Sequence, residues 1–92
     1  MIRTFADEET ERLFHRQRSR RFAAVERVAF RKLRQLHSVL TLEELRSPPG
    51  NRLEALLGDR AGQWSLRIND QFRLCFCWSQ GDAWEVEIVD YH

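Results

Sequence analysis

The chain has 92 residues and a net charge of +1, with 42% apolar, 11% aromatic and 32% charged residues. This composition excludes a disordered polymer and suffices for one hydrophobic core, so we expect a single domain over residues 1–92. No stretch approaches the roughly 18–20 apolar residues of a membrane span, and residues 1–14 lack the apolar centre of a secretory signal, so we expect a cytoplasmic protein with no membrane partner.

Two helices are predicted in the first half of the chain. The acidic residues at 7–9 favour the N-terminus of a short first helix that includes Leu13 and Phe14. Ser19 is predicted to cap a second, longer helix. Its apolar residues recur at three- and four-residue steps on one face: Phe22, Val25, Ala29, Leu33, Leu36 and Leu40.

The opposite face of the second helix is strongly basic. Residues 1–46 carry eleven Arg or Lys against seven Asp or Glu, whereas residues 47–92 carry four against seven. One interpretation is a solvated helix face, and the other is a surface that binds a polyanion. Fourteen of the fifteen basic residues are Arg, which favours phosphate contact because guanidinium binds phosphate through two hydrogen bonds. The candidate contacts are Arg20, Arg21, Arg27, Arg31, Lys32 and Arg34.

The helical half ends in two local signals. Residues 41–44, Thr-Leu-Glu-Glu, have the form of a capping box and predict one more helical turn, to about Leu45. Residues 47–51, Ser-Pro-Pro-Gly-Asn, then stop the helix, because consecutive prolines cannot continue one.

From Arg52 onward the hydrophobic period is two, which indicates strands. Three strands alternate clearly, around residues 64–68, 72–78 and 84–88, and a weaker one is predicted from Arg52 to Leu57. The expected fold class is α+β, with N-terminal helices packed on a C-terminal antiparallel sheet of about four strands. Trp64, Trp78 and Trp84 have the parity of core positions. Cys75 and Cys77 share the other face and are expected to stay reduced.

Strand parity also predicts which residues face each other. A three-residue loop at 69–71 pairs Ile68 with Phe72 and Leu66 with Leu74, and this places Arg67 directly opposite Arg73. The same reasoning on the preceding hairpin places Glu54 opposite Arg67. Two arginines facing each other are unfavourable by up to ~1 kcal/mol unless an anion fills the gap. Glu54 can offset one of the two charges, whereas a phosphate could satisfy both.

At these positions the sequence resembles a known family. Four segments resemble the HigB branch of the RelE toxin superfamily. They are Ser47-Pro48-Pro49-Gly50-Asn51-Arg52-Leu53-Glu54-Ala55-Leu56, Gly58-Asp59-Arg60-Ala61-Gly62-Gln63, Arg67-Ile68-Asn69-Asp70-Gln71-Phe72-Arg73-Leu74-Cys75-Phe76 and Val86-Glu87-Ile88-Val89-Asp90-Tyr91-His92. The resemblance spans essentially the whole chain, and the order of helices before sheet is also the family's.

The resemblance implies a toxin that enters the A site of the 70S ribosome and cuts messenger RNA without a metal or cofactor. The RNA 2'-hydroxyl would attack the adjacent phosphorus, form a 2',3'-cyclic phosphate and release the 5'-oxygen, which requires a base, a charge stabiliser and an acid. A HigA-type helix-turn-helix antitoxin would hold the toxin inactive and would make the contacts with DNA. The basic helix would then contact RNA or the ribosome.

The resemblance also implies roles for individual residues. Arg73 would bind the pentavalent phosphate with help from Arg67 and Arg60. Asp90 and His92 would serve as acid and base, and Tyr91 would orient or stack a base. Parity carried to the chain end places Tyr91 on the arginine face but Asp90 and His92 on the core face, so these last two roles require the strand end to bend or bulge.

Two positions depart from the family pattern. Members with a well-described site carry His where this chain has Glu54 and Lys where it has Leu57. Glu can act as a general base, but the missing Lys removes a positive charge near the transition state, so we expect slower cleavage.

Two alternatives to RNA cleavage remain open. A toxin-fold protein that occupies the ribosome or a partner without cutting would explain the Glu54 and Leu57 departures. Autonomous DNA binding is disfavoured, because no recognition-helix pattern accompanies the basic helix. His15 and His37 lie far from other ligands in sequence and, like the two cysteines, do not predict a metal site.

Overall fold

A computed structural model describes residues 1–91 of this chain. The helices are α1 (Glu8–Phe14) and α2 (Glu26–Ser38), and the strands are β1 (Glu54–Ala55), β2 (Gln63–Arg67), β3 (Phe72–Ser79) and β4 (Asp82–Asp90). The strands form one antiparallel sheet in the order β1-β2-β3-β4. The predicted α+β class is confirmed. Within residues 1–91, none of the helices has the length and apolar character needed to cross a bilayer.

The second helix is shorter than predicted at both ends. The Ser19 hydroxyl caps a separate turn by accepting from the Phe22 N–H at 3.2 Å, a 3-10 turn follows at Ala23–Val25, and α2 begins only at Glu26. At the other end, Val39 has an extended backbone and Leu40 is 79% exposed. The prediction of Leu40 on the buried face is therefore wrong, because the helical spacing stops before it.

The predicted capping box at Thr41 is confirmed, although the turn that follows, Leu42–Arg46, is a 3-10 helix. Both the Leu40 and Thr41 N–H groups donate to Glu44 Oε2 at 2.8 Å. These bonds to the charged form, the one from Thr41 first, hold the pKa of Glu44 below its ordinary value.

The helices cover one face of the sheet and enclose the core. The apolar sides of α1 and α2 contribute Leu13, Leu33 and Leu36, and Phe22 meets Phe72 edge to face at 5.6 Å. From the sheet, the fully buried side chains are Leu66, Leu74, Phe76 and Val86. We call the opposite side of the sheet, which carries Ser65, Arg67, Arg73, Cys75 and Glu87, the open face.

The N-terminal segment runs along the outer edge of β4. Ile2 and Phe5 form parallel bridges with Ala83 and Val86. The N-terminal ammonium and Arg3 both bind the Asp82 carboxylate, at 3.3 and 3.0 Å. The start of the chain is thereby tied to the start of its last strand.

A β-bulge in β4 changes the face of one tryptophan. Cys75 pairs with Glu87 but Cys77 pairs with Trp84, so β4 has one extra residue there, and Glu85 adopts a left-handed φ of 53°. Trp84 consequently lies on the open face and is 38% exposed, whereas Ala83 takes the buried position opposite Trp78. The prediction of Trp84 in the core is wrong, because a bulge reverses the alternation.

The other two tryptophans were predicted correctly. Trp64 and Trp78 are half-buried and pack against the core. Their strands, β2 and β3, pair without an inserted residue, so the period of two holds along both.

Candidate functional site on the open face

The pairing of β2 with β3 places Arg67 directly opposite Arg73, as parity predicted. The same register pairs Leu66 with Leu74 and Trp64 with Phe76 on the core side. The arginines face each other because the turn between the strands is short and fixed by Asn69, whose side-chain oxygen accepts from the N–H groups of Gln71 and Phe72 at 2.8 and 2.7 Å.

Arg73 is held in one orientation by neighbouring polar groups. Its Nε donates to Ser65 Oγ at 2.8 Å and its Nη2 donates to the Arg52 carbonyl at 2.8 Å. These bonds use two of the five N–H donors of a guanidinium. Nη1 lies 3.8 Å from Glu54 Oε1, the Tyr91 ring centroid lies 6.0 Å from Cζ, and the side chain is 14% exposed. Arg73 thus presents an oriented cation beside a carboxylate and an aromatic ring.

Glu54 faces a different residue from the one predicted. It pairs with Ser65, not with Arg67, because β1 is only two residues long and its register is shifted. Arg52 has a left-handed backbone, with φ 44°, so it cannot belong to the strand predicted to begin there. Glu54 still contacts Arg73 diagonally across β2, and its side chain is 58% exposed.

Arg67 has a partner that it can readily exchange. Its Nη2 binds Asp70 Oδ1 within the β2–β3 turn. The Asp70 side chain is 99% exposed, so water competes with this pair and its contribution to stability is at most about 1 kcal/mol. A phosphate arriving between the arginines would compete with Asp70 at little cost.

Arg60 lies across the open face and pairs with Glu87, which was not among the predicted site residues. Its Nη2 is 2.8 Å from Glu87 Oε1, and its Nη1 donates to Gln63 Oε1 at 2.9 Å. The bond to Glu87 raises the pKa of Arg60. Glu87 was detectable in principle, since an antiparallel pairing of β3 with β4 places it opposite Cys75.

The Cys75 thiol is fully buried, and burial raises its pKa. Cys77 is half-buried, and both cysteines are free thiols, as predicted. A buried thiol with a raised pKa is a poor nucleophile, so Cys75 is a structural residue.

The end of β4 does not bend as the acid and base roles would require. Asp90 pairs with Phe72 and accepts from Gln71 Nε2 at 3.1 Å, so the alternation is unchanged up to that residue. The bulge lies five residues earlier, at Glu85. Tyr91 reaches the arginine face, as parity predicted, and is 42% exposed. The predicted role of His92 concerns a residue outside the described part of the chain.

A shallow cavity brings some predicted residues together at the end of β4. It has a volume of about 230 Å³. Its polar lining combines Arg60 and Glu87 with Asp90 and, from the helical layer, Asp7 and Arg21. Arg21 is the basic-helix candidate that lines this cavity.

The remaining basic candidates lie in the helical layer, on the other side of the core from Arg73. Arg20 and the three α2 residues Arg27, Arg31 and Arg34 are exposed. Lys32 is not among them: it is 8% exposed, and its ammonium donates to Asn51 Oδ1. Burial first, and then the charges of Arg31 and Arg67, lower the pKa of Lys32. The prediction that Lys32 belongs to the exposed basic face is wrong, because its position on α2 turns inward.

Asn51 is a buried residue whose importance sequence reasoning missed. Its Nδ2 lies within hydrogen-bonding distance of Gln35 Oε1, the Leu45 carbonyl and the Ser47 carbonyl, at 3.0, 3.1 and 3.2 Å. Asn51 therefore joins α2 to the segment that ends in Arg52, whose carbonyl holds Arg73. Its position after Pro-Pro-Gly indicated only a turn.

The histidines predicted to be structural lie in the helical layer. His37 Nδ1 accepts from the Ile2 N–H at 3.1 Å, and burial is the first cause of its lowered pKa. His15 is exposed. Over residues 1–91, no group of three or more His, Cys, Asp or Glu side chains is arranged to hold a metal ion.

Comparison with known proteins gives concordant matches. Residues 3–92 match the family model described as the RelE-like toxin of the type II toxin-antitoxin system HigB. Toxin HigB-1 from Vibrio cholerae serotype O1 is 38% identical over 85 residues, which are 90% of each chain. Endoribonuclease HigB from Proteus vulgaris is 39% identical over 41 residues, 45% of each chain.

A solved structure shows the same fold. The crystal structure of a YafQ mutant from E. coli superposes with a TM-score of 0.56 at 12% identity, covering 98% of this chain and 93% of that chain. The family match extends over nearly all of this chain and agrees with the resemblance found in its motifs. The chain belongs to the HigB-like family of RelE-like toxins of type II toxin-antitoxin systems.

Proposed function

We propose that this chain is a ribosome-dependent endoribonuclease that cuts messenger RNA and so stops translation and growth. The 2'-hydroxyl attacks the adjacent phosphorus, the bond to the 5'-oxygen breaks, and a 2',3'-cyclic phosphate remains on the upstream fragment. No cofactor takes part. Membership of a toxin family and the relative named Endoribonuclease HigB support this activity.

The observation that carries the proposal is the fixed guanidinium of Arg73 opposite Arg67 on the open face. Donors that are already oriented stabilise charge that develops in a transition state, because they do not have to reorganise during the reaction. Arg73 binds the pentavalent phosphate, and Arg67 joins it after exchanging Asp70 for a phosphate oxygen. Arg60 assists from the other side.

The reaction needs a base for the 2'-hydroxyl and an acid for the leaving 5'-oxygen. Glu54 lies beside Arg73 and is mostly exposed, so it serves as the base for the 2'-hydroxyl. His92 supplies the leaving 5'-oxygen with its proton, and Tyr91 orients or stacks a nucleotide near Arg73. Asp90 does not take the acid role that the resemblance implied, because it pairs with Phe72 on the core side of β4. Leu57, which stands where relatives carry Lys, is 85% exposed and offers no charge, so cleavage is slow.

The partners follow from the family and the activity. A HigA-type antitoxin with a helix-turn-helix binds the toxin and makes any contacts with DNA. The 70S ribosome, with messenger RNA in its A site, is the site of action, assisted by the exposed arginines at 20, 21, 27, 31 and 34. The compartment is the cytoplasm, where messenger RNA is translated.

Primer extension on a translated messenger tests the proposal. The wild type should give discrete breaks, and Arg73→Ala should reduce the cleavage rate by about 100-fold or more. The matched control is Arg12→Ala, which removes an exposed arginine of the helical layer and should cut normally. Glu54→Ala should also cut more slowly.

The alternative function makes a different prediction in the same experiment. If translation is arrested while the messenger remains intact, the chain is a growth inhibitor that binds the ribosome or a partner without cutting. Equal cleavage by wild type and Arg73→Ala would contradict the role given to the arginine pair.

A further inference from the structure

We infer that Trp84 is a stacking platform for a base of the bound RNA, on the same face as the arginine pair but outside the cleavage site. The inference rests on the proposed function for the identity of its ligand. It concerns single-stranded RNA, whose unstacked bases bind exposed aromatic side chains irrespective of sequence.

The first observation is the position of Trp84. It pairs with Cys77, and on β3 every second residue from Arg73 through Cys75 to Cys77 points to the open face. Its indole is 38% exposed, although burying such a side chain is one of the larger stabilising contributions available to a fold. The core position beside it is taken by Ala83.

The second observation is that the backbone is strained to keep it there. Glu85 has a left-handed φ of 53°, which costs a residue other than glycine roughly fivefold to thirtyfold in population. Two bonds from Thr4 hold the bulge: its hydroxyl accepts from the Glu85 N–H at 2.8 Å and its carbonyl accepts from the Val86 N–H at 3.1 Å. Without the bulge, alternation would turn Trp84 into the core.

The third observation is the charge between Trp84 and the arginine pair. Cys77 and Arg73 are four residues apart on β3, which is about 13 Å in a strand. A stacked strand covers this distance in about four nucleotides, at ~3.4 Å each, and an extended one in fewer. Arg60 lies between them and is bonded to Gln63 and Glu87, but its pair with Glu87 is partly exposed, so an intervening phosphate can compete with Glu87 for the guanidinium. Along this path lie an aromatic ring (Trp84), one cation (Arg60) and a pair of cations (Arg67 and Arg73). This arrangement suits the bases and phosphates of a polynucleotide better than an acidic peptide.

Ribosome-dependent cleavage by Trp84→Ala, Trp84→Phe and a control, Leu40→Ala, provides the first test. Leu40 is exposed too, but it follows α2 in the helical layer. Loss of one stacked base should lower kcat/KM of Trp84→Ala by about 5- to 140-fold, mainly through KM. Trp84→Phe should retain most of the activity, and Leu40→Ala all of it.

Tryptophan fluorescence provides a second test that does not require cleavage. A single-stranded RNA hexamer with 2'-deoxyribose at every position that could be cut should quench the emission of the wild type. The same hexamer should leave Trp84→Phe, which retains Trp64 and Trp78, almost unquenched. Because the fluorescence test does not use Trp84→Ala, it still tests the stacking platform if that variant does not fold.

The failures are distinguishable. If Trp84→Ala cuts like the wild type, with the same pattern, while Arg73→Ala does not cut, the stacking site is wrong and the proposed function stands. If Trp84→Ala loses only its affinity for the antitoxin, Trp84 is a protein contact and the inference is overturned. If the wild type cuts no RNA, the proposed function fails. The fluorescence test then decides on Trp84 alone: equal quenching of wild type and Trp84→Phe, or no quenching of either, would reject the stacking platform as well.

Discussion

On the helix-covered face of the sheet, Leu66, Leu74 and Phe76 are fully buried against helical side chains, whereas on the open face the same two strands carry Ser65, Arg73 and Cys75. Burial of apolar area holds the first face together, and hydrogen bonds and ion pairs organise the second. Substitutions on the covered face should therefore act on stability, and those on the open face on RNA cleavage.

The largest expected effect on stability is from Phe76→Ala, on the covered face. Deleting a fully buried phenyl ring leaves a cavity and should lower the free energy of unfolding by about 3–5 kcal/mol. Urea denaturation measures this. Cys77→Ala changes the neighbouring residue, which is half-buried on the open face, and should lower the free energy of unfolding by less than about 1 kcal/mol. Equal losses from the two variants would abolish the distinction between the faces.

An intermediate effect is expected from Asn51→Ala, which connects the two faces. It removes the acceptor of the Lys32 ammonium and the donors to Gln35 and two carbonyls, so unfolding should become easier by about 2–3 kcal/mol. Cleavage by the folded variant should also slow, because the Arg52 carbonyl that orients Arg73 is no longer fixed. Gln17→Ala, an exposed amide, is the control. If fully folded Asn51→Ala cuts RNA at the normal rate, the hydrogen bonds of Asn51 do not orient Arg73.

A smaller effect on stability is expected from Glu87→Gln on the open face. The pair with Arg60 is partly exposed, so the loss should be about 1 kcal/mol or less. Arg60 would then bind phosphate without competition from a carboxylate, so RNA should bind more tightly at low salt, and this gain should shrink as the salt concentration rises. A binding titration at several salt concentrations checks this. Equal RNA affinity of wild type and Glu87→Gln at every salt concentration would mean that Arg60 does not contact RNA.

The smallest effect concerns acid stability, through Glu44 in the helical layer. Its pKa is lowered in the folded chain, so the carboxylate stabilises the fold above its ordinary pKa of 4.5, and this contribution disappears as the pH falls through the lowered value. Between about pH 7 and about pH 3, the wild type should lose more of its unfolding free energy than Glu44→Gln, which cannot titrate there. Identical pH profiles would contradict the assignment.

The sequence predicts well those parts of the fold whose structure is determined by neighbouring residues, such as helix ends and short turns. α1 begins among the acidic residues at 7–9, Thr41 and Glu44 form a capping box, and the short turn at Asn69 sets the register that places Arg67 opposite Arg73. Each depends on neighbouring residues and on strand parity, so no long-range information was needed.

The errors occur where tertiary contacts override the local pattern. The bulge at Glu85 is held by Thr4, more than eighty residues away in sequence, so alternation within β4 could not reveal that Trp84 turns outward. Likewise, the left-handed backbone of Arg52 shortens the strand that was predicted to begin there. Lys32 is an exception, because helical spacing from Ala29 and Leu36 already places it on the buried face. In the candidate site, sequence therefore predicted the arginine pair but not the partners that orient it.

The N-terminal pairing of Ile2 and Phe5 with β4 also bears on self-association. Long bare strand edges recruit strands from other molecules and promote aggregation. Here the first half of the outer edge of β4 is covered by the chain itself, and the opposite edge, β1, is only two residues long. A toxin that is not bound to its antitoxin is thereby protected from edge-to-edge aggregation.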